Sequence, residues 1–164
     1  MKAKLTLTLI FLVGILNFGC KQKLQEPNID IVNEEFAEEQ TKIEEVVYGI
    51  FTSIQDKDPE KLKSYHLYGP KFTAFASGMP RQGSKENEES EKKTINSIIS
   101  LDYNLKDLKI AVYGEVAIVT YHGDFEFTFE EGSQQMHTQT TLIFVETEAG
   151  WKIAHEHSSP RLIN

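Results

Sequence analysis

Apolar residues in the first half of the chain recur at helical spacing. Phe36, Ile43, Val47, Ile50, Phe51 and Ile54 trace one face of a helix that should stop near Gln55-Asp56-Lys57. Asp58 followed by Pro59 reads as a cap and a first-turn proline, opening a short second helix through Leu62, Tyr65 and His66 that Gly69-Pro70 ends. Lys71 to Ala76 is a short strand candidate and Gly78 to Gly83 a loop. Ser84 then offers a cap for a polar helix whose buried edge is Ile95, Ile98 and Ile99. Beyond Leu101 the period becomes two. Strands are predicted over 104–113, 116–129, 134–147 and 151–158, joined by turns at Tyr113-Gly114-Glu115, Glu130-Glu131-Gly132-Ser133 and Glu148-Ala149-Gly150. The result is an antiparallel meander.

On the second of these strands Val119, Tyr121, Phe125, Phe127 and Phe129 share one parity and define the core face, leaving Thr120, His122, Asp124 and Glu126 on its reverse. The third strand is apolar on both faces, with Leu142 and Phe144 on one side and Ile143 and Val145 on the other. Helices can cover one face. A second copy of the chain is the simplest cover for the other, so a homodimer through the sheet is expected.

The first twenty residues follow another pattern. Lys2 and Lys4 precede an apolar run from Leu5 to Leu16, shorter than a membrane-spanning helix and followed by Lys21-Gln22-Lys23, which is the layout of an export signal. Gly19-Cys20 resembles the end of a bacterial lipoprotein lipobox, in which the thiol is diacylated and becomes the mature N-terminus. That resemblance implies residues 1–19 as leader, lipidated Cys20 with a tether to residue 33, and a folded domain over 34–164. Several acyl chains anchor a protein stably where one would not. Lys21 directly after the Cys points to the outer membrane or periplasmic side of the cell envelope.

Composition narrows the functions open to the folded part. With 164 residues, Asp+Glu 25 against Lys+Arg 17 and a net charge of −8, the chain has no basic run, so nucleic acid is excluded as a partner. One Cys, placed in the leader, excludes an internal disulfide, a multi-thiolate zinc site and thiol catalysis. There is no phosphate-binding Gly loop, nucleophile elbow or zincin motif.

The order of helix, short helix, short strand, helix and four long strands closes on Gly150-Trp151-Lys152-Ile153-Ala154-His155-Glu156-His157-Ser158-Ser159, preceded by a Thr-rich stretch at Thr138 to Thr141. Over residues 36 to 160 it resembles the NTF2-like superfamily, specifically the SnoaL-like domains. The resemblance implies an α+β cone, a curved antiparallel sheet wrapped around three N-terminal helices with a pocket inside. Some relatives are ketosteroid isomerases and polyketide cyclases, whose proton transfer beside a carbonyl needs a carboxylate base and an oxyanion donor. Asp102, at a helix end, and Asp124, opposite Tyr121 and Phe125, match neither role.

Glu156 and Tyr121 are the remaining candidates for catalysis. The pocket is expected to draw on Tyr48, Tyr121, Phe125, His155, Glu156, His157 and Ser158, with Tyr65, His66, Phe72 and Phe75 on the helical side. The family likeness turns Glu156 and Ser158 inward, with Ser158 standing where relatives with a basic pocket carry Arg. Strand alternation turns Trp151, His155 and His157 inward instead, and both readings stay open. His155 and His157 are spaced to share a metal with His122, His137 or Glu126, but packing in the sheet or at the dimer seam accounts for them better. No metal and no cofactor is expected, and Glu86 to Glu91 reads as a solvated helix face. The expected role is binding a small, partly apolar molecule. The alternatives are a cofactor-independent isomerase, cyclase or dehydratase, and a homo-oligomeric scaffold.

Overall fold

The computed structural model describes residues 30–163. The expected leader, Cys20 and the expected tether as far as residue 29 lie outside the described residues. At the start of the described residues Asp30 accepts from the Val32 and Asn33 amides, both at 3.1 Å, so residues 30–33 form a turn.

The amphipathic stripe of the first helix, α1 (Ala37–Gln55), buries Ile43, Val47 and Phe51. The Pro59 start is realised in α2 (Pro59–Ser64), where the Asp58 carboxylate accepts from the Lys61 amide at 2.8 Å. A short strand, β1 (Thr73–Ala76), leads to α3 (Ser84–Ser97). Its cap differs from expectation, since Gly83 is the N-cap and the Glu86 carboxylate accepts from the Gly83 amide. Ser84 is used otherwise. Its hydroxyl donates to the Gly69 carbonyl and accepts from the Gly69 amide, both at 2.8 Å, clipping α3 to the loop after α2. Ile95 and Ile98 are buried, but Ile99 is exposed because the backbone turns extended at Ile98.

Four long strands follow, β2 (Ser100–Tyr113), β3 (Val116–Phe129), β4 (Gly132–Thr147) and β5 (Gly150–Pro160). They form the expected meander. The sheet also gains β1, which pairs parallel to β5 and gives the order β1-β5-β4-β3-β2. The core lies between the helices and the concave face, where Val119, Phe144, Ile153, Ile43 and Val47 are at most 1% exposed. Full burial of such a side chain contributes ~1.5–3 kcal/mol. Gln55 Nε2 donates to the Leu101 carbonyl at 2.9 Å, and Trp151 Nε1 donates to Glu39 at 2.8 Å, so both ends of α1 are tied to the sheet.

Two irregularities set which residues face inward. In β2 the pairing steps from Lys106↔His122 to Lys109↔Thr120, and Asp107 there has φ of 52°. The buried parity passes from Leu101, Tyr103 and Leu105 to Leu108, Ile110 and Val112. In β5 the pairing steps from Phe144↔Ile153 to Ile143↔His155, leaving Ala154 as the extra residue. Because side chains alternate with period two, one inserted residue exchanges the faces beyond it. Trp151 and Ile153 therefore point into the core, and beyond the bulge Glu156 and Ser158 do so in place of His155 and His157. Each of the two readings left open by the sequence holds on one side of Ala154. At Gly123 a Cβ would lie 2.2 Å from the Phe125 ring, so only glycine lets that ring fold back over the strand.

Candidate functional site

Between helices and sheet lies a cavity of about 340 Å³. One part of its wall is apolar, made by Ile50, Phe51 and Ile54 of α1, Leu101 of β2, and Phe125 and Phe127 of β3. Phe51 stacks on Tyr103 at 4.6 Å and meets Phe125 at 5.6 Å, which holds that wall in place. Hydroxyls line another part, with Thr140 Oγ1 3.3 Å from Thr138 Oγ1 and donating to Ser158 Oγ at 3.2 Å beside Tyr121. Burial raises the Tyr121 phenol above its ordinary pKa, against its hydrogen bond with Thr140, so it stays protonated.

Three other side chains converge on the α2–α3 side. His66 follows α2 and is pinned to β5 on both flanks, since the Ile153 amide donates to the Tyr65 carbonyl and the Leu67 amide to the Ile153 carbonyl, each at 2.8 Å. Its Nδ1 lies 3.1 Å from the Leu62 carbonyl. A carbonyl only accepts, so Nδ1 carries the proton and Nε2 of the neutral ring presents its lone pair to the cavity. The ring is stacked at 4.8 Å on Tyr68 and meets the edge of Phe72 at 5.8 Å.

Glu91 comes from α3, one turn beyond Asn87 and one before Ile95. The Tyr68 hydroxyl donates to its Oε2 at 2.9 Å and accepts from Asn87 Nδ2 at 3.0 Å. Glu156 arrives from β5 after the bulge, between Ala74 of β1 and Leu142 of β4. His66 Nε2 is 3.3 Å from Glu91 Oε1 and 3.8 Å from Glu156 Oε2, and neither approach has hydrogen-bond geometry.

The electrostatics follow from that crowding. Burial raises the Glu91 carboxyl to about 7, against the attraction of His66 and with the repulsion of Glu156. For His66, burial opposes a charge on the ring, but the Glu156 and Glu91 carboxylates outweigh it and its pKa lies above the ordinary value. Tyr68 is held protonated by burial and by the negative field of Glu91. Two carboxylates of the cavity wall thus share one imidazole, and the Tyr68 phenol bonds one of them. Such a floor can donate or accept a proton, orient a polar ligand, or hold a cation.

Of the residues expected at the pocket, Tyr121, Phe125, Glu156 and Ser158 line this cavity. Tyr48 does not. It lies one residue beyond the buried Val47, about 100° around the helix, in a groove of about 510 Å³ on the outer side of α1 that also takes in Tyr65. His155 and His157 are turned to the other face of the sheet by the Ala154 bulge, where both lie 6.0 Å from the Phe75 ring and His155 Nδ1 meets Thr73 Oγ1 at 2.8 Å. Among the described residues the one group of three side chains with metal-ligand spacing is His66, Glu91 and Glu156, not a set built on His155 and His157. Glu91, in the stretch expected to be a solvated helix face, lines the cavity instead. Continuing the Ile95–Ile98 stripe backwards by helical steps reaches Glu91 and then Asn87, and that was the available signal.

Comparison with known proteins decides the family. Residues 43–163 match the SnoaL-like domain family. The chain belongs to that family. The SnoaL-like fold recurs in a proposed dehydratase of the NTF2-like family from Streptomyces avermitilis, at 20% identity and a TM-score of 0.69, covering 75% of this chain and 96% of that one. An NTF2-like superfamily protein from Salmonella enterica serovar Typhimurium matches at 18% identity and 0.69, covering 78% and 94%. A proposed scytalone dehydratase from Novosphingobium aromaticivorans matches at 12% and 0.68, covering 77% and 86%. These likenesses establish the NTF2-like fold. The comparison with curated proteins finds no match.

Proposed function

We propose that this SnoaL-like domain binds a small, partly apolar molecule in its cone, with the molecule's polar end against Glu91, Glu156 and His66. The observation that carries this reading is one cavity of about 340 Å³ combining an aromatic wall with two carboxylates, an imidazole and the Tyr121 phenol. That volume is at the small end of the ~300–1,000 Å³ of ligand pockets, and a mostly apolar wall with a few convergent polar groups is their usual make-up. The test is purification of the full chain without added ligand and extraction of the denatured protein for mass spectrometry. A stoichiometric small molecule is expected, and its loss in Phe125→Ala would place it in the cone.

A second reading is favoured by one specific contact, the Tyr68 hydroxyl donating to the half-buried Glu91 carboxylate opposite Glu156. An acid and a base a few ångströms apart in a largely apolar pocket suit cofactor-independent proton transfer, as in a dehydration or isomerisation, and two structures sharing the fold are proposed dehydratases. Turnover of the extracted molecule by wild type but not by Glu91→Gln would support it.

Two further parts of the proposal concern placement and assembly. The leader and Cys20 support an exported, lipid-anchored protein of the cell envelope, checked by metabolic labelling of Cys20 with an acyl probe. Ile118 and Val116 are 39% and 40% exposed on the outer face, opposite Ile143 and Val145 in register, and this supports a second copy as the cover.

A further inference from the structure

We propose that His66, Glu91 and Glu156 form a three-ligand site for a divalent transition-metal ion of the zinc type, open towards the cavity. This goes beyond the binding of an organic molecule and does not depend on it. The side chain of His66 is 1% exposed, and its Nε2 has no hydrogen-bond partner among the described residues although it faces both carboxylates. A buried, unpaired lone pair aimed at two carboxylate oxygens calls for something electropositive between them. Its tautomer is already the metal-binding one, because Nδ1–H is held by the Leu62 carbonyl at 3.1 Å, as outer partners commonly fix a ligating imidazole. Tyr68 does the same for Glu91.

Distances separate the possible cations. The three ligand atoms lie within 4.8 Å of one another, with 3.3 and 3.8 Å from Nε2 to the two oxygens. Ligands bonded at ~2.0–2.1 Å to a tetrahedral ion stand ~3.3–3.4 Å apart. Acceptors around an ammonium at ~2.8 Å would stand ~4.6 Å apart. The spacing from Nε2 is closer to the metal. One imidazole nitrogen with two carboxylates suits zinc, cobalt(II) or manganese(II) better than calcium or magnesium, which take oxygen ligands in greater number. The remaining coordination position would face the hydroxyl-lined cavity and could take a water or a ligand oxygen.

The test is titration of the full chain, stripped with chelator, with zinc alone by calorimetry and with cobalt(II) alone by visible absorption. One equivalent is expected, with intense four-coordinate cobalt bands. Glu91→Gln and Glu156→Gln should each weaken binding by more than about 100-fold, beyond the 10–100-fold typical of losing an outer partner. His155→Ala, on the other face, should leave it unchanged. Circular dichroism of each variant separates lost binding from lost folding, and if Glu156→Gln fails to fold, Glu156→Asp replaces it with the same expectation. No saturable binding, binding that survives both Gln variants, or binding lost with His155 would each overturn the metal site. None of these results touches the extracted small molecule, so the two readings fail separately.

Discussion

The two faces of the sheet carry clusters built from the same residue types, and they are balanced in opposite ways. On the outer face Asp124 is one carboxylate among three donors, accepting from Lys106 at 2.5 Å, Arg161 at 2.6 Å and His137 at 2.7 Å. The Lys106 and His137 hydrogen bonds hold its carboxyl well below the usual range. On the inner face Glu91 and Glu156 share His66, whose Nε2 bonds to neither. The outer cluster balances its one carboxylate charge internally, although Arg161 Nε is buried without a hydrogen-bond partner among the described residues. The inner one combines desolvation with like-charge repulsion, both unfavourable to folding, which is the balance found in a site that serves a ligand.

If the faces are assigned correctly, neighbours on β5 should respond very differently. Trp151→Ala, on the inward side before the bulge, should lower stability by ~3–5 kcal/mol in denaturant unfolding. His157→Ala, beyond the bulge on the outer face, should change it by no more than ~0.5 kcal/mol. Equal losses would mean that Ala154 does not exchange the faces. Replacing both inner carboxylates, Glu91→Gln with Glu156→Gln, should raise stability by ~1–3 kcal/mol because the repulsion and the desolvation penalty are both removed. The same variant should lose the bound molecule.

Asp124→Asn should act in the other direction, and its pH dependence identifies it. A carboxyl with a depressed folded pKa contributes stability above its unfolded value of 3.8, and that contribution is lost as pH falls through the folded value. Acid unfolding of the wild type should therefore steepen below about pH 4, and in the variant that portion should be missing. The smallest effect on the cavity belongs to Ile118→Lys, which should turn a dimer into a monomer by light scattering while leaving the bound molecule in place.

The parts of this comparison that the sequence made legible are those governed by one period over a long stretch. The α1 stripe, the parity of β3 from Val119 to Phe129 and the hairpin glycines are of this kind. Family resemblance added the cone and the inward Glu156. What escaped depends on single residues or distant pairings. Ala154 and the Lys106–Lys109 irregularity each shift a register by one position without a glycine or proline to mark it. Pairing of β1 with β5 joins segments about eighty residues apart, and it sets Ala74 beside Glu156. Glu91 lies in an acidic run whose members Glu88 and Glu89 do face outward, which masks it, and the meeting of His66 with two carboxylates from α3 and β5 depends on contacts between segments far apart in the chain.

The most direct test is native mass spectrometry of the full chain as purified, compared with its denatured mass. The account predicts a mass excess of one small molecule per chain in the wild type that is absent from the Glu91→Gln/Glu156→Gln variant. A folded wild type with no excess, or an equal excess in both proteins, would contradict it.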